Sequence, residues 1–171
     1  MHFPTDIRRC AYASPLGPMT LAATDRGLAG VWFDGQRHMP DTAAWPQRPD
    51  DPVLRRAARA LDAYFAGAAD AFEGLPLDLG HGTVFQQQVW QALLAIGHGR
   101  RSTYAALGQA MGRPAAVRAV GAAVGRNPIS VVVPCHRVLG ADGSLTGYAG
   151  GLPRKAALLQ LEAKRAMAQA A

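Results

Sequence analysis

The 171-residue sequence lacks a long hydrophobic run, because no apolar stretch reaches the roughly 18 residues that a membrane span needs. The first ten residues, MHFPTDIRRC, contain no apolar segment of the kind found in secretory signals. We therefore expect a soluble, cytoplasmic protein that does not contact a membrane. Since 49% of the residues are hydrophobic, the chain can still build a core, either as one domain or as two small ones.

Cysteine is scarce, with Cys10 and Cys135 as its two examples, and there is no Cys-x-x-Cys pair. A disulfide is not expected in the cytoplasm, where thiols are kept reduced. The five histidines are scattered along the chain, which argues against a structural zinc site, so we expect no metal and no cofactor. A free cysteine is usually a small buried hydrophobe, and we keep that interpretation for Cys10.

Acidic residues are few in the second half of the chain. Residues 1–82 hold eight arginines and ten acids, a net charge of −2, whereas residues 83–171 hold ten basic residues and two acids, a net charge of +8. This asymmetry indicates that the second half faces a polyanion such as nucleic acid. A solvated basic surface is an equally good reading of the charge alone.

Residues 1–82 have the pattern of a small α/β unit. The segments RCAYAS, MTLAAT and GLAGVWF predict three short strands, separated by turn signals at 15–17 and 25–27. Residues 34–50 carry three prolines and no periodicity, so we predict a loop there. The segment LPLDL at 75–79 predicts either a further strand or an extended linker.

One helix is predicted in this first unit. Pro52 suits the first turn of a helix, and Gly67 should end it. Its predicted apolar stripe consists of Val53, Ala57, Leu61, Tyr64 and Phe65.

From Thr83 onwards the pattern becomes helical. Thr83 and Gln86 have the spacing of a capping box, and the helix that follows should end at Gly97 and Gly99. A second helix is predicted over 103–111 with Ser102 as its cap, and a third over 114–125. Two short helices joined by a glycine-containing turn match the helix-turn-helix pattern, in which the later helix enters a DNA groove. Plain core packing of these helices is the alternative.

The chemistry centres on the segment PCHRV, at 134–138. The apolar run ISVVV at 129–133 predicts a buried strand that places Cys135 at its end. His136 could then act as a base toward the thiol, with Glu162 of a last helix from about residue 153 as the group that orients it. Adjacent side chains of a strand point to opposite faces, which argues against this pairing unless a turn begins at Cys135. Arg137 is expected to add positive charge near the thiol.

The stretch VVVPCHRVLGADGSLTGYAGGLPRKAALLQLE resembles the active-site region of the O6-alkylguanine-DNA alkyltransferases. The resemblance continues upstream through FQQQVWQALLAI and TYAALGQAMGRPAAVRAVGAAVGRNP, so it covers essentially all of 83–162. It implies a small N-terminal α/β, ribonuclease H-like domain at 1–82. A mainly helical winged helix-turn-helix DNA-binding domain, which carries the active site, would follow at 83–171.

The resemblance also implies an activity. It is the irreversible transfer of a methyl or larger alkyl group from O6-alkylguanine in double-stranded DNA to the protein's own Cys135, with O4-alkylthymine as a further candidate substrate. Such a methylated-DNA–[protein]-cysteine S-methyltransferase reacts once per molecule, repairs DNA by direct damage reversal and is expected to be a monomer. Cys135 would be the alkyl acceptor, His136 would deprotonate it through a water, and Glu162 would orient His136.

Further roles follow from the same resemblance. Asn127 would tie the DNA-binding helices to the active-site strand, and Tyr104 would contact the flipped base and the neighbouring phosphate. Arg118 resembles the arginine that enters the duplex and fills the gap left by the base. The other implied DNA contacts are Ala119, Gly121, Ala122 and Arg126, and the implied guanine pocket is framed by Val138, Tyr148 and Ala149.

Two other functions stay open from the residues alone. A lesion-recognition module would bind damaged DNA without transfer, and the presence of Cys135 argues against it. A Cys–His hydrolase acting on small acyl or thioester substrates would need many turnovers and no DNA, and the basic second half with Arg118 argues against that.

Overall fold

A computed structural model describes residues 2–169, with side chains described as far as Lys164. The chain begins with an antiparallel sheet of three strands in sequential order, β1 (Arg8–Ser14), β2 (Gly17–Thr24) and β3 (Gly27–Phe33). The three predicted strands are confirmed. At Gly27 the backbone has a φ of 146°, and a Cβ there would lie 2.6 Å from the carbonyl oxygen of Pro76, so the turn requires glycine.

The predicted helix of this unit is α1 (Pro52–Ala66), which packs on the sheet. The side chain of Asp51 accepts hydrogen bonds from the backbone amides of Val53 and Leu54, and Gly67 ends the helix in the left-handed conformation. The predicted apolar stripe omits Leu54, which is fully buried, whereas Val53 and Phe65 are half-buried and pack against the same core. The buried residues of α1 are Leu54, Ala57, Leu61 and Tyr64.

Residues 75–79 form an extended linker between the two units. Leu77 makes a single parallel bridge to Leu28 of β3, and no named strand forms at 75–79. Of the two predictions for LPLDL, the linker is therefore the one that the structure contains.

The second unit is mainly helical, as predicted. The capping box between Thr83 and Gln86 is present, and α2 (Val84–Leu94) follows it, ending before the predicted stop at Gly97. The cap of α3 (Tyr104–Ala110) is Thr103 rather than Ser102, because the Thr103 hydroxyl accepts the Ala106 amide at 3.1 Å. Ser102 instead lies in the short strand β4 (Ser102–Thr103), which pairs in parallel with β5 (Val138–Leu139).

The third predicted helix begins with one 3₁₀ turn at Pro114–Ala116 and continues as α4 (Val117–Gly125). The last helix, α5 (Leu152–Gln169), carries Glu162 as predicted. Within residues 2–169, none of these helices combines the length and the apolar character needed to cross a lipid bilayer.

The predicted strand at 129–133 is wrong, because this segment folds into consecutive tight turns. The Val132 amide donates to the Ser130 carbonyl, and the Cys135 amide donates to the Val133 carbonyl. Val131 has a φ of 74°, a conformation that β-branched residues rarely adopt. The segment is apolar because it is buried between the two units, and burial alone does not make it extended.

Both units share one hydrophobic core. Phe33, Leu61, Trp90, Val120 and Leu158 belong to the same buried cluster, although they come from both halves of the chain. The two units are also joined by backbone, since the Val31 amide of β3 donates to Pro128 and the Ser130 amide donates back to Val31, each at 2.9 Å. The N-terminal sheet therefore supports the turns that carry Cys135.

Candidate active site

Cys135 begins a 3₁₀ turn, Cys135–Arg137, directly after the tight turns. This is the geometry that removes the objection to a Cys135–His136 pairing. The thiol is free and 4% exposed. Asn127, which follows α4, donates from Nδ2 to Sγ of Cys135 at 3.1 Å and to the Val133 carbonyl at 2.8 Å. One amide thus holds both the sulfur and the turn behind it next to the end of α4.

His136 is fully buried, and its Nε2 lies 2.8 Å from Oε1 of Glu162. Its Nδ1 is buried and has no hydrogen-bond partner among the described residues. Burial lowers the pKa of His136, although the hydrogen bond and the charge of Glu162 act in the opposite direction. The ring is therefore neutral at physiological pH, and a neutral imidazole can accept a proton.

Glu162 is the acceptor of a dense set of hydrogen bonds. Arg137 donates from Nε at 3.0 Å and from Nη2 at 2.9 Å, the Tyr64 hydroxyl donates at 2.8 Å, and the Gly99 amide donates at 3.2 Å. Burial alone would raise the pKa of Glu162, but the hydrogen bonds from His136 and Arg137 and the charge of Arg137 hold it well below its usual range. The carboxylate is ionised and held in one orientation.

Arg137 does not act as the sequence predicted. Its guanidinium points to Glu162 and to the Ile96 carbonyl instead of supplying charge to the thiol. The nearby cation is Lys155 of α5, whose buried Nζ donates to the carbonyls of Val138 and Thr146. Its charge lowers the pKa of Cys135.

Burial raises the pKa of Cys135 to about 11, against the opposing effects of the Asn127 hydrogen bond and the Lys155 charge. The resting group is therefore a thiol. A thiol attacks slowly, so any nucleophilic chemistry here needs a base to remove its proton.

A cleft of about 450 Å³ opens between α4 and the loop before α5. Neither Cys135 nor Val138 is among the described residues that line it. Burial raises the pKa of Tyr104 and of Tyr148, and a thiolate at Cys135 would raise both further, since both rings lie near the sulfur as well as in the cleft wall. The predicted site residues that line the cleft are Tyr104, Gly121, Ala122, Arg126, Tyr148 and Ala149.

The outer face of α4 borders this cleft. Arg118, Ala122 and Arg126 follow one another at intervals of four residues and are exposed, as is Ala119. Gly121 is half-buried beside the ring of Tyr104, where a Cβ would lie 3.7 Å from Cδ1. This face combines small side chains with two cations, so a phosphate backbone could approach it closely.

Several residues of the site escaped the sequence analysis. Arg37 and His38 reach the cleft from the loop at 34–50, which has no periodicity that could mark them. The sequence predicts only that Tyr64 belongs to the apolar stripe of α1. A buried tyrosine hydroxyl usually has a hydrogen-bond partner, and this was the signal that could have singled out Tyr64.

Family models and known proteins match both halves of the chain. The family model described as "6-O-methylguanine DNA methyltransferase, ribonuclease-like domain" matches residues 7–79, and the one described as "6-O-methylguanine DNA methyltransferase, DNA binding domain" matches residues 84–164. A methylated-DNA–protein-cysteine methyltransferase of Mycobacterium bovis is 48% identical over 155 residues, which is 91% of this chain and 92% of the relative. The Haemophilus influenzae protein of the same name is 42% identical over 151 residues, 88% of this chain and 83% of the relative.

Solved structures show the same similarity. The crystal structure of Mycobacterium tuberculosis OGT in complex with DNA has a TM-score of 0.81 and 44% identity, and the match covers 93% of this chain and 93% of that one. The structure of the Mycobacterium tuberculosis O6-methylguanine methyltransferase gives a TM-score of 0.83 at the same identity, with 93% and 94% coverage.

Proposed function

Because the chain belongs to the 6-O-methylguanine DNA methyltransferase family, we propose that it repairs alkylated DNA by direct damage reversal. It is a methylated-DNA–[protein]-cysteine S-methyltransferase that moves the alkyl group from O6 of guanine in double-stranded DNA to Sγ of Cys135. The observation that carries this proposal is the turn that joins Cys135 to a buried, neutral His136 beside the cleft and the basic face of α4.

The reaction follows from the arrangement of the three groups. Nδ1 of His136 takes the thiol proton through a bridging water, and Glu162 stabilises the imidazolium that forms. The thiolate attacks the alkyl carbon, a C–S bond forms, the C–O6 bond breaks and its electron pair stays on O6. The proton finishes on the guanine, and the hydroxyl of Tyr104 helps to neutralise the leaving group. Since water does not hydrolyse a thioether, the alkylated protein cannot react again, and each chain transfers one alkyl group.

A base inside the duplex offers no path to this sulfur, so it must be extruded, which costs a few kcal/mol. Arg118 fills the gap in the stack and offsets part of that cost. Ala119, Gly121 and Ala122 let α4 approach the groove, and Arg126 adds charge beside the cleft. The guanine pocket is framed by Tyr148 and Ala149, which line the cleft, and by the backbone around Cys135 and Val138, and Asn127 connects the DNA-binding helix to the reactive turn.

We further propose that the protein works in the cytoplasm, where Cys135 stays reduced. It acts as a monomer, because the described residues of one chain supply the acceptor, the base and the DNA-facing helix. We also propose that the boundary between its two domains lies between residues 82 and 83, a proposal supported by the capping box that starts α2 at Thr83.

Intact-mass measurement tests the function. The protein is mixed with excess duplex oligonucleotide containing one O6-methylguanine, and we expect a gain of one methylene mass per chain, mapped to Cys135, with unmodified guanine left in the DNA. A mass gain that maps to Cys10, or no mass gain at all, would contradict the assignment. Lesion-dependent binding that leaves the methyl group on DNA, and that Cys135→Ala does not change, would identify a binding module instead.

A further inference from the structure

The N-terminal domain sends one side chain into the catalytic network. Tyr64, on α1, is 1% exposed, and its hydroxyl donates to Oε1 of Glu162 at 2.8 Å. The same oxygen lies 3.5 Å from Nε2 of His136. None of the roles assigned above uses this contact.

We propose that Tyr64 is a positioning residue for alkyl transfer, which fixes Glu162 against His136 and limits how strongly the carboxylate draws an extra proton onto the imidazole. This proposal rests on the proposed function, because it concerns the base that the transfer requires. It also gives the N-terminal domain a part in the chemistry.

The tautomer follows from which groups can donate. Burial and the charge of Glu162 raise the pKa of Tyr64, so its hydroxyl keeps its proton. That proton is directed to Glu162, so the tyrosine oxygen presents a lone pair to Nε2. The carboxylate oxygen 2.8 Å from Nε2 is also an acceptor. Nε2 must therefore carry the hydrogen, and the lone pair is left on Nδ1, the atom that has no partner among the described residues.

The orientation of Glu162 depends on donors from several elements. Arg137 holds both carboxylate oxygens, and the Gly99 amide holds Oε2. Tyr64 is the donor from the N-terminal domain, and it meets Oε1, the oxygen that also faces His136. Without the tyrosine hydroxyl, the negative charge of Oε1 is shared among fewer donors and acts more strongly on the imidazole.

The position of this hydroxyl is set by the packing of its ring. The Tyr64 ring stacks on Phe72 with a centroid distance of 5.2 Å, and Phe65 and His98 meet it edge-on at 5.4 and 6.2 Å. A phenylalanine would keep these contacts and remove only the donor. Tyr64→Phe therefore separates positioning from packing.

The direction of the pH effect is set by the surroundings of the imidazole. The titratable and charged groups that face His136 are Cys135 and Arg137 of its own turn, Lys155 and Glu162 of α5, and Tyr64 of α1. Of these, Tyr64→Phe changes only the donor on Glu162, which strengthens the attraction of the carboxylate for a protonated imidazole. More of His136 is then protonated at mildly acidic pH, and a protonated base cannot take the thiol proton.

The experiment is a pH–rate profile of methyl transfer under single-turnover conditions with saturating duplex DNA. Tyr64→Phe is compared with Tyr12→Phe, which removes a tyrosine hydroxyl that donates to Asp62 at 2.8 Å in the same domain, away from the site. We expect Tyr64→Phe to be about 10-fold slower than wild type near neutral pH, with a deficit that shrinks as pH rises. Tyr12→Phe should stay within about twofold of wild type at every pH.

Nitrogen-15 chemical shifts of the His136 ring give a second, independent measurement. They should show hydrogen on Nε2 in the wild type near neutral pH, and in Tyr64→Phe they should show the doubly protonated ring appearing at a higher pH than in the wild type. A Tyr64→Phe profile that matches wild type would overturn the proposal, and so would a pH-independent loss with an unchanged protonation of the His136 ring. If the wild type itself transfers no methyl group, the proposed function fails, whereas a wild type that reacts normally beside an equally active Tyr64→Phe contradicts this inference alone.

Discussion

The two cysteines of the chain lie in regions whose neighbouring groups have opposite effects on a thiolate. Cys10 is half-buried in β1, and its pKa is raised by burial and further by the negative charge of Asp51. Burial raises the pKa of Cys135 as well, to about 11, but there an amide donor from Asn127 and the charge of Lys155 act to lower it. Both groups rest as thiols, so the fraction of thiolate does not distinguish them.

What distinguishes the two regions is the response to a proton being removed. A thiolate at Cys135 meets the Asn127 donor and the Lys155 cation, and the buried imidazole of His136 is on the same turn to take the proton. A thiolate at Cys10 would meet a carboxylate. The comparison teaches that a buried cysteine becomes a nucleophile through the groups that stabilise its product state, even where its resting pKa is high.

The strongest way to break this comparison is to remove each thiol in turn. Cys135→Ala should abolish methyl transfer, because the acceptor atom is gone, while lesion binding is retained. Cys10→Ala should transfer methyl at a rate within about twofold of wild type, since small buried thiols usually serve only packing. Intact mass after exposure to O6-methylguanine DNA measures both. If the Cys135→Ala variant still gained a methyl group, on Cys10, the two regions would be chemically equivalent.

Neutralising Glu162 should have the next largest effect. In Glu162→Gln the imidazolium loses its anionic partner, so we expect transfer to slow by about 100-fold, the contribution typical of general base catalysis. Arg137 also loses its buried partner, and unfolding in denaturant should become easier by about 3 kcal/mol. The matched control is Asp142→Asn, the other acid of this half, which is exposed. Equal effects of the two variants would contradict a specific role for Glu162.

The same variant has a pH signature in its stability. The pKa of Glu162 is depressed in the folded protein, so the stability it supplies is present above its unfolded pKa of about 4.3 and is lost as pH falls toward the folded value. Wild type should therefore lose stability on acidification more steeply than Glu162→Gln. Denaturant midpoints across the acidic range measure the difference, and parallel curves would argue against the depressed pKa.

Access to Cys135 can be separated from its chemistry through Arg118. Arg118→Ala should slow transfer from duplex DNA by about 10-fold at subsaturating DNA, because an extruded base is no longer replaced in the stack. Reaction with a free O6-alkylguanine base should be unchanged, since it needs no extrusion. Arg55→Ala, an exposed arginine on α1, is the charge-matched control. Loss of the free-base reaction in Arg118→Ala would place Arg118 in the chemistry itself.

Much of this arrangement could be predicted from the sequence, because local signals specify local structure. Turn residues marked the three strands, and the capping box between Thr83 and Gln86 marked the start of α2. Glu162 stood out as one of two acids in a basic half, and the structure places it on His136. The remaining roles are implied by the sequence resemblance and stay predictions.

The errors share a physical cause, since they concern contacts between segments that are distant in the chain. The apolar run at 129–133 predicts a strand, but apolar composition indicates burial and cannot distinguish a strand from consecutive turns. Arg137 was expected to serve the thiol next to it, whereas its guanidinium reaches a carboxylate 25 positions away. The apolar stripe of α1 correctly predicts that Tyr64 is buried, but it does not reveal the partner of the tyrosine hydroxyl, which lies in the other domain, 98 positions away.

The smallest expected effect concerns the unreactive region. The Asp51 charge raises the pKa of Cys10 less than burial does, so Asp51→Asn should speed the alkylation of Cys10 by iodoacetamide only about twofold at mildly alkaline pH. Asparagine also caps helices well, so the start of α1 should be retained. The rate is measured in a Cys135→Ala background, with Asp62→Asn of the same helix as the control. A slower reaction in Asp51→Asn would mean that the carboxylate does not oppose the thiolate, and the contrast between the two cysteines would then rest on burial and the neighbouring base rather than on the sign of the nearby charge.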